Sequence, residues 1–129
     1  MLNELSQYGD ISFLLLRLVI AAIFIYHAMP KLKNSKMMAD SMGTKKEMVL
    51  SLGIVEFASS LGMVFGVYIK VASLLLAIVM IGAIYMKAVK WSVPFSAMNK
   101  TGWEFDLILL AANIFILANG GGAMVVSSF

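Results

Sequence analysis

Four apolar stretches, residues 11–29, 48–69, 71–89 and 104–119, constrain this chain more than anything else in it. Crossing a hydrocarbon core of about 30 Å takes roughly 20 helical residues, and these stretches are close to that length. The last is short and is expected to extend by a turn at one end. None shows the period-two alternation of a strand, and four segments are too few to close a membrane barrel. Only 13% of the 129 residues are charged while 61% are apolar, against roughly a quarter and a half in a soluble domain. There is too little polar sequence to clothe such a domain in water. The expected fold class is therefore all-α, an integral membrane four-helix bundle, with residues 1–129 forming a single transmembrane domain.

The breaks between stretches suggest where helices end. Pro30 follows His27-Ala28-Met29, and a residue before proline is pushed away from helical geometry, so the first helix is expected to stop there. Residues 31–46 form the longest connection. They are rich in Lys and Met and read as an amphipathic helix lying on the membrane surface. Lys70 marks a tight turn between the second and third spans. Residues 90–102, with Pro94, Asn99 and flanking Trp91 and Trp103, read as an interfacial loop with aromatic anchors. Gly120-Gly121-Gly122 closes the last helix. In the second span Gly62-x-x-x-Gly66 would let a neighbouring helix approach, and packing within the chain is favoured over a dimer seam.

Lysine placement suggests an orientation. Lys31, Lys33, Lys36, Lys45, Lys46, Lys87, Lys90 and Lys100 lie in or beside the first and third connections, with Lys70 alone on the other side. By the positive-inside rule both termini face outside the cell (plasma) membrane. Residues 1–10 carry Glu4 and Asp10 and no Lys or Arg, unlike the basic leader of a cleavable signal, so the first span is expected to be retained. The lysines sit in short loops and form no nucleic-acid-binding arm, so nucleic acid is not an expected partner. The lipid bilayer is.

The absence of cysteine excludes thiolate-ligated metal, iron–sulfur centres and covalent haem within the chain, and the single His27 cannot supply both axial ligands of a bis-histidine haem. Met37, Met38, Met42 and Met48 are better explained as apolar filler than as ligands of a soft metal. No metal site is expected.

What remains is the polar side chains within the spans. A charge at the bilayer centre costs about 2.5–3.5 kcal/mol, so each needs a partner or a cavity. Counted at about 1.5 Å per residue from the lysine-rich side, Arg17 lies about 16 Å deep, Glu56 about 12 Å and Asn113 about 13 Å. The three are expected to meet in one middle layer, with Arg17 and Glu56 either a register-fixing ion pair or part of a site. His27, Lys31, Lys87, Glu104 and Asp106 gather at the lysine-rich boundary, where Lys31 and Lys87 also have the plain reading of lysines snorkelling to headgroups. Asp106 and Asn113, seven residues apart, share one helical face, whereas Glu104 and Asp106 do not. His27 beside carboxylates suits proton exchange, and equally suits a hydrogen-bonded interfacial histidine.

Several short motifs, taken in order, resemble the DoxX/DoxD-like family of small four-helix membrane proteins, which is related to subunits of thiosulfate:quinone oxidoreductase. They are Leu16-Arg17-Leu18, then Tyr26-His27-Ala28-Met29-Pro30-Lys31-Leu32, which is similar to an HGxxK ending with Ala28 and Pro30 as departures. Next come Gly53-Ile54-Val55-Glu56 with Leu61-Gly62, Lys87, Gly102-Trp103-Glu104, and Gly120-Gly121-Gly122 with Ser127. The resemblance implies a membrane-embedded redox role with quinone, beside a partner enzyme.

Three functions stay open. In a quinone-interacting oxidoreductase subunit, His27, Glu56 and Glu104 would handle protons as catalytic groups. Arg17, Lys31, Lys87, Asp106 and Asn113 would bind the quinone, and a soluble or membrane redox partner protein would supply electrons. A small transporter or channel would need a homo-oligomer to line its pore. A membrane anchor or assembly subunit would use its polar residues only to lock the bundle.

Overall fold

The computed structural model describes residues 2–126, so Ser127, to which the resemblance extended, lies outside the described residues. All its regular structure is helical, but there are five α-helices where four were expected. They are α1 (Gly9–Lys33), α2 (Ser35–Met42), α3 (Lys46–Phe65), α4 (Ile69–Tyr85) and α5 (Trp103–Asn119). A 3-10 turn over Leu2–Tyr8 leads into α1, and a π-helical turn over Met86–Lys90 ends α4.

Three helical segments are long and apolar enough to cross a membrane: Leu2–Lys33, Lys46–Phe65 and Ile69–Lys90. The fourth, α5, has 17 residues and gains no further turn at either end, because Gly102 stands before Trp103 and Gly120, at φ +79°, turns the chain away after Asn119.

Three boundaries differ from expectation. Helix α1 runs through Pro30 to Lys33, because a proline in the last turn forfeits only the bond to the Tyr26 carbonyl, and Tyr26 lies on an exposed face. The Pro30 carbonyl still accepts from Asn34 N–H at 2.7 Å. The turn between α3 and α4 falls at residues 66–68, not at Lys70, since Gly66 takes the left-handed cap (φ +72°) and Tyr68 follows at φ +51°. Lys70 sits in the first turn of α4. The connection after α1 does hold an amphipathic helix, α2, which buries Ser35 and Ala39 and ends at left-handed Gly43.

Helix α1 packs on α3, α3 on α4, and α4 on α5. The ring closes through side chains of α5 and α1, where the Phe13 and Phe115 rings stack at 5.4 Å and His27 meets Phe105 at 5.9 Å. The core is Ile20, Phe24, Met63, Leu76, Leu109 and Ile116 with the small Ala21 and Ala72 between them. Small residues suit a bundle in lipid, where close packing rather than water exclusion holds helices together. Gly62 follows this logic: a Cβ there would lie 2.8 Å from the Val67 carbonyl, so the small-residue pair serves packing inside the chain. Outside, Leu15, Ile78, Ile81, Ile108 and Ile114 are exposed around the bundle, a surface suited to lipid.

Candidate functional site

Helical side chains tilt toward their own N-terminus. Helices α1 and α4 run toward the lysine-rich end and α3 and α5 run away from it. Lysines near the ends of α1 and α4 therefore lean back into the bundle, and acids near the starts of α3 and α5 lean toward them. Lys31 Nζ accordingly reaches both carboxylate oxygens of Glu56, at 2.9 and 2.7 Å. Lys87 Nζ, carried on the π turn, reaches Asp106 Oδ2 at 2.8 Å. The carboxylates are buried, and the lysine side chains are 15% and 21% exposed.

Gly53 permits the first of these pairs. A Cβ at this position would stand 2.9 Å from Lys31 Cβ and 3.1 Å from Leu32 Cδ2, so α1 and α3 touch nearly backbone to backbone there. At the second pair Lys87 Nζ meets the buried Asp106 Oδ2 as an ion pair in the bundle wall. His27 joins the two pairs. It is exposed, lies against Phe105 of α5, and is within electrostatic range of Lys31, Lys87 and Asp106.

The expected Arg17–Glu56 pair does not form. Arg17 is 1% exposed and, among the described residues, donates to backbone carbonyls: Nε to Met63 at 2.9 Å, Nη1 to Met124 at 2.7 Å and Gly121 at 3.2 Å, and Nη2 to Val64 at 3.5 Å. Depth counted by Cα positions misplaced it, because Arg17 leans toward the α1 N-terminus, away from Glu56. Met63 is seven residues beyond Glu56, about 10 Å along α3. The charge finds its counterpart in carbonyls of the last turn of α3, at that helix's negative pole, and of the segment that follows α5. Gly66 and Gly121 line the Arg17 side chain, since a Cβ on Gly66 would stand 3.0 Å from Nη2 and one on Gly121 3.1 Å from Cδ. Residues 120–126 are thereby strapped across the bundle end, with Ala123 N–H also bonded to Asp10 Oδ1 and Val126 N–H to the Gly66 carbonyl.

Asn113 is fully buried. Its Nδ2 donates to the Leu109 carbonyl, while Oδ1 has no partner among the described residues. Glu104 is exposed on a different face from Asp106 and is not brought to the cluster. The arrangement thus unites His27, Lys31, Glu56, Lys87 and Asp106, sends Arg17 to the opposite end and leaves Glu104 outside. Sequence reasoning missed the carbonyl cage, which backbone atoms build and no side-chain pattern announces. The glycines after α5 were its only trace. Among the described residues no cluster of His, Cys, Asp and Glu could hold a metal ion.

A curated Bacillus subtilis (strain 168) protein named "Putative oxidoreductase CatD" is 27% identical over 128 residues, covering 97% of this chain and 91% of that protein. No solved structure matches. The DoxX family model matches residues 12–89, which hold Arg17, His27, Lys31, Glu56 and Lys87 but stop short of α5, and on this match over more than half its length the chain belongs to the DoxX family.

Proposed function

We propose that this DoxX protein is a membrane-embedded redox subunit in which the lysine-rich cluster exchanges protons with a quinone while a partner protein exchanges electrons with it. The observation that carries the reading is the buried Asp106 carboxylate, ion-paired with Lys87 at 2.8 Å and within electrostatic range of the exposed His27. A carboxylate, an imidazole and lysine ammonium groups gathered at one end of the bundle are the residue types that accept and return the protons of a hydroquinone.

Reduction of a quinone takes two electrons and two protons, one proton for each ring oxygen. His27 and Asp106 would pass these protons, with Lys31 and Lys87 holding the charge balance as they move. Asn113 Oδ1 is about 10 Å further along α5, too far to share the same ring's oxygens. Glu104 has no place in this scheme. The chain has no cysteine, and electrons would come from the partner. In this reading α5 is the fourth span, the lysine-rich end faces the cytoplasm across the plasma membrane, and both termini lie outside.

The test is solvent extraction of the gently purified protein with mass spectrometry of the extract, for the natural sequence and for Asp106→Leu. A stoichiometric quinone that Asp106→Leu loses, with helix content retained, is the expected result. Bulk phospholipid alone from both proteins, together with no quinone reduction when candidate reductase partners are reconstituted, would refute it and favour an assembly subunit.

A further inference from the structure

At the lysine-rich end, where α1 hands over to α2 and α3 begins, lies a second feature that the redox reading does not use. A cavity of about 480 Å³ is lined by Lys33, Asn34, Ser35, Lys36, Asp40 and Lys46, with Met37 at its edge. Unlike Lys31 and Lys87, none of the three lysines has an acidic partner among the described residues. Asp40 offsets one of them, so the lining is positive by two.

Ser35 is the telling residue. The residue is 7% exposed, and its hydroxyl, facing a polar cavity, makes no hydrogen bond among the described residues. It also opens α2, whose first-turn amides have no side-chain cap. An unpaired hydroxyl open to the cavity, uncapped amides and three free ammonium groups around it are the donor set for a phosphate. The membrane argues for which phosphate. The cavity lies at the end of α1, beyond the apolar span and hence at headgroup depth, and exposed Met37 adds an apolar wall where acyl chains would begin.

We infer that the α1–α2–α3 junction is a binding site for the phosphate headgroup of an anionic phospholipid. The lysines provide attraction, Ser35 and the α2 amides provide donors directed at the phosphate oxygens, and Met37 meets the start of the lipid tails. A zwitterionic lipid presents the same phosphate but brings an ammonium group to a positive cavity, so the site discriminates between them.

Native mass spectrometry of the full chain in detergent tests this, with added phosphatidylglycerol or phosphatidylcholine as probes. The natural sequence should retain phosphatidylglycerol preferentially. Replacing Lys33, Lys36 and Lys46 together by Gln should abolish the preference, because each lysine near a charged lipid surface is worth about five-fold in affinity. Lys90→Gln with Lys100→Gln, a two-charge change outside the cavity, should leave it intact. Ser35→Ala, which changes no charge, should weaken phosphatidylglycerol retention several-fold. Equal loss in the Lys90/Lys100 variant would show diffuse attraction to a basic surface and overturn the site. So would a Ser35→Ala protein that binds as the natural one does. Displacement of the lipid by millimolar inorganic phosphate would show that free phosphate, not lipid, is the ligand, and would overturn the lipid assignment.

Discussion

Removing either member of the Lys31–Glu56 pair should have unequal consequences, because the two partners differ in their access to the surface. Glu56 is 1% exposed and both of its oxygens are bonded to Lys31, at 2.7 and 2.9 Å. Lys31→Met strands that carboxylate in the bundle, and a buried charge that loses its partner costs about 3–5 kcal/mol. Glu56→Gln leaves instead an ammonium that is already 15% exposed near the helix end, and Lys31 can straighten toward the headgroups. That change should cost about 1–2 kcal/mol, the scale of one hydrogen-bond loss. In the double variant Lys31→Met/Glu56→Gln no charge is stranded, so its cost should fall below that of Lys31→Met alone. The assay is equilibrium unfolding of the purified chain in mild detergent, followed by helical circular dichroism, for the four members of this cycle and of a matching Arg17→Met/Glu56→Gln cycle. A coupling of about 2–3 kcal/mol is expected between Lys31 and Glu56, and none between Arg17 and Glu56. Equal costs for the two single variants, or a larger coupling to Arg17, would refute the reasoning.

The remaining predictions concern packing and the arginine cage. Arg17→Lys keeps the charge but cannot span the Met63, Gly121 and Met124 carbonyls, so it should cost about 2–4 kcal/mol from the loss of charge-assisted bonds. The same variant should free residues 120–126 to faster amide hydrogen exchange, and unchanged exchange there would disprove the strap. Gly53→Ala forces a methyl to within 2.9 Å of Lys31 Cβ, and overpacking of this kind should cost about 1–3 kcal/mol in the same unfolding assay, with Gly53→Leu worse. Gly102→Ala drives a Cβ into the Phe95 carbonyl oxygen, which accepts the Glu104 N–H that starts α5. It should open the loop before α5 and alter Trp103 fluorescence, since Trp103 packs edge-on against Phe95 at 4.6 Å. An unaltered emission spectrum would count against that account.

Much of this molecule was legible without coordinates, because lipid imposes a length and a polarity on each helix that hydropathy reports directly. The helical class, the three long spans, the surface helix at α2, the glycine stop after α5 and the shared face of Asp106 and Asn113 all follow from residue type and the 3.6-residue period. Other features depended on context. Pro30 is harmless because it falls in a last turn whose freed carbonyl is at an exposed residue, and the turn before α4 belongs to Gly66 because only there does the chain need a left-handed cap.

Partner choice among the buried charges was decided by tertiary structure alone. Residue counting places a Cα at a depth, but a long side chain ends several ångströms away, in a direction set by the polarity of its helix. Antiparallel neighbours therefore bring Lys31 to Glu56 and Lys87 to Asp106 while carrying Arg17 the other way, to carbonyls that only the folded ends of α3 and α5 and the returning strap bring together. The sequence by itself determined that these charges lie within a membrane bundle and must be paired. Which atom answers each of them depended on helix direction and backbone position, and neither is written in the identity of any single residue.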